Sequence, residues 1–339
     1  MKYSVGYQVL ANDSFVSLIN ECRNYIDEVY FSWGDFASGR NKMTAHHTLS
    51  PSEALEKQKQ DLLKISKTGV KLNVLFNANC YGEKALSREF FNSVGDTVDF
   101  ILSNYGLDCI TTTSPEIARF VKNNFETVKT RASINMEIGT KEGAEYLFDY
   151  YDGFYLKREY NRNFKRIKEF KEFLNSNGKT LHCLANSGCL NYCSARTFHD
   201  NLVAHETEVM KQDNGVTFKT ACSEFLKKGD NKRRFFCVTN FIRPEDVHLY
   251  EEYFDCLKLA TRVSKFPERT VKAFINGSYR GLITDLLEPD NAFAMYPYVL
   301  ENRLIPQDFG VVTGNCNKNC NECGYCEKAF DKCAILLKE

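Results

Sequence analysis

From residue 3 to residue 279 the chain alternates strand-like and helix-like segments. The strand-like runs are YSVGYQV (3–9), EVYFSW (28–33), KLNVLFNA (71–78), DCITTT (108–113), VKTRAS (128–133), GFYLK (153–157), KTLHCLAN (179–186) and FDCLKLA (254–260). Between and after them lie 13–27, 50–69, 86–105, 114–125, 140–151, 163–178 and 266–279, where apolar residues recur at three- and four-residue spacing, as in helices buried on one face. Strands joined through helices pair in parallel, because a parallel pair needs a long crossover connection. Eight such units predict an α/β fold, a TIM-like (β/α)8 barrel over 1–285. A doubly wound open sheet is the alternative, since periodicity does not report closure. Two segments fall outside the alternation: a long insertion after the seventh strand, 187–253, and a C-terminal extension, 286–339.

A parallel barrel places its chemistry just past the C-terminal ends of its strands. Those positions hold Trp33, Asp35 and Arg40; Asn77, Asn79 and Cys80; Thr112 and Ser114; Ser133, Asn135 and Glu137; Lys157, Arg158 and Glu159; Asn186, Cys189 and Cys193; and Lys258 and Arg262. A guanidinium fork matches a carboxylate, so Arg158 and Arg131, with Lys157, are expected to hold an anionic group. Trp33, Tyr81 and Tyr155 are expected to wall a planar substrate, with Asn135 and Lys258 among the substrate contacts. Arg158, Glu159, His199 and His205 are the candidate catalytic residues, the histidines as acid–base groups beside Glu206.

Composition narrows the classes. Forty-four basic side chains balance forty-four acidic ones, so no net charge points to nucleic acid or an anionic membrane. No apolar run approaches the ~20 residues that span a bilayer. The opening MKYSVGYQVLANDSF lacks the apolar core of a signal peptide, and a cytoplasmic location is expected. In a reducing compartment, clustered cysteines read as metal ligands or catalytic thiols before disulfides.

The chain has fourteen cysteines, and most fall into two groups. Cys189 and Cys193, spaced C-x3-C after the seventh strand, are joined by Cys222 and Cys237 from the insertion. Four thiolates at a barrel mouth suit an iron–sulfur cluster or zinc. Cys183, inside the strand, is the alternative fourth ligand. In the extension, Cys316, Cys320, Cys323 and Cys326 are spaced C-x3-C-x2-C-x2-C, a density that resembles ferredoxin-like ligation, with zinc again the alternative and Cys333 a substitute ligand. Two 4Fe–4S centres would form an electron path; two zinc ions would not.

Three segments carry a family resemblance: YLKREYNRNFKRIKEF (155–170), ANSGCLNYCSARTFHDN (185–201) and NFIRPEDVHLYEEY (240–253). They resemble peptidase family U32, the collagenase-like group, and more closely its short members ending in a CxECGYC tail. The resemblance implies a TIM-barrel-like fold. It also implies a 4Fe–4S cluster of the kind held by several members, among them the paired proteins of oxygen-independent ubiquinone hydroxylation and the hydroxylation factors of transfer and ribosomal RNA. Arg158–Glu159 and Cys189–Cys193 match characteristic family positions, and Cys222 matches a later ligand.

Hydrolysis needs an activated nucleophile or a metal-bound water. The chain has no G-x-S-x-G and no H-E-x-x-H, and His46–His47 is a lone pair. The leading expectation is an iron–sulfur enzyme carrying out oxygen-independent hydroxylation or a related redox modification. A metal- or thiol-dependent peptidase and a non-catalytic electron-transfer partner are the alternatives. The expected partners are a small-molecule or peptide substrate, an electron donor, and a second copy or a paired U32-family protein.

Overall fold

The computed structural model describes residues 1–34, 36–39, 49–212, 215 and 218–337. Asp35, Arg40, His46 and His47 lie outside the described residues. The barrel runs β1 (Lys2–Gly6), α1 (Ser14–Cys22), β2 (Ile26–Phe31), α2 (Pro51–Ser66), β3 (Lys71–Phe76), α3 (Arg88–Tyr105), β4 (Cys109–Thr112), α4 (Pro115–Asn124), β5 (Lys129–Ala132), α5 (Lys141–Glu145), β6 (Gly153–Tyr155), α6 (Phe164–Ser176) and β7 (Thr180–Leu184). The insertion contributes α7 (Arg196–Ala204), α8 (Glu206–Met210), α9 (Ala221–Lys227) and α10 (Phe235–Val238) before β8 (Cys256–Leu259) and α11 (Pro267–Asn276). The extension holds α12 (Ala292–Met295), β9 (Tyr298–Leu300), α13 (Phe309–Gly314), α14 (Cys320–Cys323), α15 (Tyr325–Cys333) and β10 (Ala334–Leu336).

The sheet closes. β1 pairs in parallel with β2 and with β8, Tyr3 lying opposite both Ile26 and Leu257, so the open-sheet alternative is excluded. Helix starts follow local chemistry. Ser50 and Glu53 form a reciprocal capping box ahead of Pro51, and Ser114 caps α4 with Pro115 at its first position. Helix α5 covers only the start of the expected 140–151. Beyond it the backbone tightens into turns, the N–H groups of Leu147, Phe148 and Tyr150 donating to the carbonyls of Ala144, Glu145 and Leu147, while Tyr151 stays fully buried and Phe148 packs edge-on to Phe154.

Two apolar cores result. The first fills the barrel and the layer under its helices. The second draws Leu190, Leu226, Phe235, Phe236 and Phe241 from the insertion and Leu286, Met295, Leu300, Phe309 and Phe330 from the extension. Insertion and extension, separate in sequence, therefore bury one another. At the centre is Phe236, 1% exposed, with ring centroids 6.0 Å from Phe241, 5.3 Å from Phe309 and 6.4 Å from Phe330.

Phe236→Ala removes that shared ring and is expected to cost about 3–5 kcal/mol, read by urea denaturation. Limited proteolysis should then cut insertion and extension together. An extension that becomes labile while the insertion stays protected would show that the two do not form one unit.

Candidate active site

Inside the barrel, a polar layer is built from inward-facing strand residues. Arg131 on β5 places Nη1 3.1 and 3.0 Å from the two Glu28 carboxylate oxygens on β2. Ser4 and Asn73 also donate to Glu28, at 2.7 and 2.9 Å. Burial pushes the Glu28 carboxyl up, but Arg131 and these hydrogen bonds together hold it below its usual range. Above this pair Lys258 on β8 lies between aromatic faces, its Nζ 3.8 Å from the Tyr30 ring centroid and 5.0 Å from that of Tyr155. Burial, reinforced by Arg262, lowers the Lys258 pKa to about 7.

At the C-terminal mouth the loops converge. Arg262 Nη1 donates to Ser38 Oγ at 2.8 Å, and the Ser38 hydroxyl and Gly39 N–H both donate to Asn77 Oδ1 at 3.1 Å. A Cβ on Gly39 would stand 2.9 Å from the Asn77 carbonyl oxygen, so this approach requires glycine. Asn135 Nδ2 donates to the Asn77 carbonyl at 3.2 Å, and Asn135 Oδ1 accepts from Arg158 Nη2 at 2.8 Å. Arg158 also pairs with Glu137, whose Oε1 lies 3.5 Å from Arg196 Nη1 and whose Oε2 lies 3.9 Å from Lys157 Nζ. Burial outweighs these cations and leaves the Glu137 carboxyl above its ordinary range. Glu137 (φ 53°) and Tyr192 (φ 53°) both adopt left-handed backbone, strain of the kind that gathers at functional sites.

The turn after β6 faces two ways. Arg158 and Glu159 face the mouth, where Glu159 Oε1 accepts the Tyr192 N–H at 2.9 Å and lies 3.7 Å from Arg196. Asn161 donates to the Leu184 carbonyl at 2.6 Å, and its own carbonyl accepts the Tyr250 hydroxyl at 2.8 Å. Arg162 then enters the second core, with Nη2 on the Phe236 carbonyl at 2.8 Å and Nε on Asn240 Oδ1 at 3.3 Å.

The thiols divide differently from their spacing. Cys237, expected with Cys189, Cys193 and Cys222, lies against the extension instead, beside Cys326 and Cys320. One cavity is lined by Cys237, Cys316, Cys320, Cys323 and Cys326. Cys183 donates to Asn161 Oδ1 at 3.3 Å in the fully buried wall and is not a mouth ligand. Cys333 is buried in the second core away from that cavity. Among the described residues, no three His, Cys, Asp or Glu side chains stand in the arrangement of a formed ion site, at the mouth or in the cavity. Cys237 lies with the extension's thiols and not with the mouth set in which it was expected.

Other expected residues are also redistributed. Arg131 is spent on Glu28 inside the barrel and does not reach the mouth. Trp33 packs on Phe31, Phe100 and Tyr105 under the helix layer, so it walls no substrate. Tyr155 is 2% exposed in the interior layer. His199 packs on Phe218, with ring centroids 5.3 Å apart. His205 and Tyr81 instead share a groove of about 560 Å³ with Cys80, Lys84 and Glu208. Arg196 and Arg162 were not anticipated. Arg196 had a signal, its place three residues after Cys193; Arg162 had none, because its partners Phe236 and Asn240 are distant in sequence.

The architecture is thus a closed (β/α)8 barrel with a charged mouth and a thiol-lined second unit. The chain is 25% identical over 281 residues to an uncharacterized protease of Methanocaldococcus jannaschii, covering 80% of this chain and 79% of the relative. A U32 peptidase of known structure superposes with a TM-score of 0.54 at 15% identity, over 76% of this chain and 92% of that one, and shares the fold. No protein-family model matches the chain. The sequence similarity runs over most of both chains, and the superposition shows a common barrel fold. No described helix is long and apolar enough to cross a membrane.

Lys258 gives the site a pH signature. Its folded pKa of about 7 lies below the unfolded value, so between those values the unfolded chain binds the extra proton. Wild-type stability relative to Lys258→Met should rise as pH increases from about 7 toward about 10 and be flat below 7. Urea titrations across that range test this; a pH-independent difference would mean that Lys258 is ordinarily charged.

Proposed function

We propose that the chain is an iron–sulfur enzyme of the U32 type that hydroxylates or otherwise oxidises a small anionic substrate at the barrel mouth without dioxygen. The observation that carries this reading is the convergence of guanidinium groups at the mouth. Among the described residues, Arg158 and Arg196 both face Glu137, with Lys157 beside it, and Arg196 also faces Glu159 and Asp200. Planar guanidinium groups gathered at a partly buried site favour carboxylate or phosphate. Glu137, held toward its protonated form, can give or take a proton beside Arg158. Arg158 and Arg196 would orient the anion, and the Asn77–Asn135 pair would fix the loop edge against which it lies. An iron–sulfur centre would supply single-electron transfer. The family resemblance and the thiols gathered in the second unit's cavity support that cofactor.

Protein purified without oxygen should carry iron and acid-labile sulfide with visible charge-transfer absorption. Colourless protein with stoichiometric zinc and no iron would overturn the redox reading. Arg158→Ala and Arg196→Ala should each weaken binding of citrate or inorganic phosphate, used as anion probes in calorimetry, by about tenfold or more. Unchanged affinity for both would remove the mouth as an anion site.

A second reading, a thiol peptidase, is favoured by the groove that brings Cys80, His205 and Glu208 to one surface, the residue types of a nucleophile, its base and an orienting carboxylate. Peptide cleavage that survives iron removal and is lost in Cys80→Ala would support it. Cleavage indifferent to Cys80→Ala would exclude that groove.

A further inference from the structure

The cavity between α10 and the α14–α15 turn collects thiols from two parts of the chain. Cys237 comes from the insertion; Cys316, Cys320, Cys323 and Cys326 come from the extension. Among the described residues, the wall of this cavity thus brings one thiol of the insertion against four thiols of the extension. Cys323 is exposed at the rim, whereas the other four are half-buried.

An independent feature lies beneath. Arg162 is 2% exposed, and its Nη1 has no hydrogen-bond partner. A buried guanidinium with an unspent donor is costly unless an anion faces it. The negative groups nearest in effect are Cys326 and then, after Tyr250, Cys316, both on the cavity wall. Lys318, on the loop between Cys316 and Cys320, adds a second cation facing the same two thiols. Four neutral thiols give these cations nothing to balance. Four thiolates around a core of charge 2+, zinc or a 4Fe–4S cube, carry two negative charges in sum, and Arg162 with Lys318 matches them.

We propose that Cys237, Cys316, Cys320 and Cys326 bind one metal centre as thiolates, that Arg162 and Lys318 are its counter-cations, and that the centre fastens the extension to the insertion. Loading forms four metal–sulfur bonds and releases the four thiol protons. The proposal rests on the preceding section's expectation of thiol-bound metal, and the two fail distinguishably: zinc in this cavity would sink the redox reading and leave the proposal standing, whereas iron retained in Cys237→Ser would sink the proposal and leave the redox reading standing.

The test is metal content. Wild type and the variants Cys237→Ser, Cys316→Ser, Cys323→Ser and Cys189→Ser/Cys193→Ser are purified anaerobically, and iron, acid-labile sulfide and zinc are measured per chain. Cys237→Ser and Cys316→Ser should lose the same metal fraction, while Cys323→Ser and the double variant keep it. Iron with sulfide or zinc in that fraction names the centre. Wild type with no metal in it, or Cys237→Ser that retains what Cys316→Ser loses, overturns the proposal. Differential alkylation read by mass spectrometry covers variants that fail to fold. In the wild type, Cys237, Cys316, Cys320 and Cys326 should be protected together and become reactive together on chelation, with Cys323 reactive throughout. A Cys237 that is alkylated before chelation, or that is found in a disulfide with Cys326, also overturns it.

Discussion

A buried guanidinium holds the two halves of this protein in register. Arg162 leaves the turn after β6 and donates to the Phe236 carbonyl and to Asn240 Oδ1, with its plane 5.1 Å from the Phe309 ring centroid and 5.5 Å from that of Phe241. A charge this deeply buried tolerates only a narrow set of positions, because each displaced donor would be left without solvent. Asn240 in turn donates to the Glu159 carbonyl, so the same residue that receives Arg162 fixes the turn bearing Glu159. Insertion, extension and barrel mouth are tied at this one point.

That tie explains why the mouth can hold so many like charges. Arg158 and Arg196 would repel one another were Glu137 not between them and Glu159 not bound to the Tyr192 N–H. Left-handed backbone at Glu137 and Tyr192 is strained, and such strain persists only where surrounding contacts over-determine it. Here those contacts are ion pairs at the front and the second core behind. Electrostatic arrangement at the mouth is thus bought with apolar burial elsewhere.

Much of the barrel was readable from sequence, because its strands and helices carry their periods locally. The eight strand-like runs and their order all recur, whereas closure, which periodicity does not report, is seen only in the pairing of β1 with β8. The site was readable only in part. Arg158, Glu137, Asn135 and Lys157 lie where strand ends put them. Arg131 and Trp33 do not, because whether a residue at a strand end points inward, outward or up depends on register and on partners such as Glu28 and Phe100. Cys237 shows the same limit. Its spacing from Cys222 suggested one group, but α10 turns its thiol toward residues nearly a hundred positions later in the chain. Contacts of that separation leave no local pattern.

The segment Arg158–Arg162 has a consequence for how the two ends of the molecule communicate. Five consecutive residues put one guanidinium in the mouth and another beside the thiol cavity, their Cα atoms separated by at most about 14 Å of chain. The backbone between them is not free to absorb a shift, since Asn161 is held by Leu184, Cys183 and Tyr250. Contacts run on from Arg162 to Asn240, from Asn240 to the Glu159 carbonyl, and from the Glu159 carboxylate to Arg196. Coupling of this kind requires an element with two arrangements, and rigid packing alone does not supply one. The nearest candidate is the thiol cluster around Cys237. Exchanging free thiols for metal-bound thiolates would change the charge facing Arg162 while leaving the apolar frame around it in place.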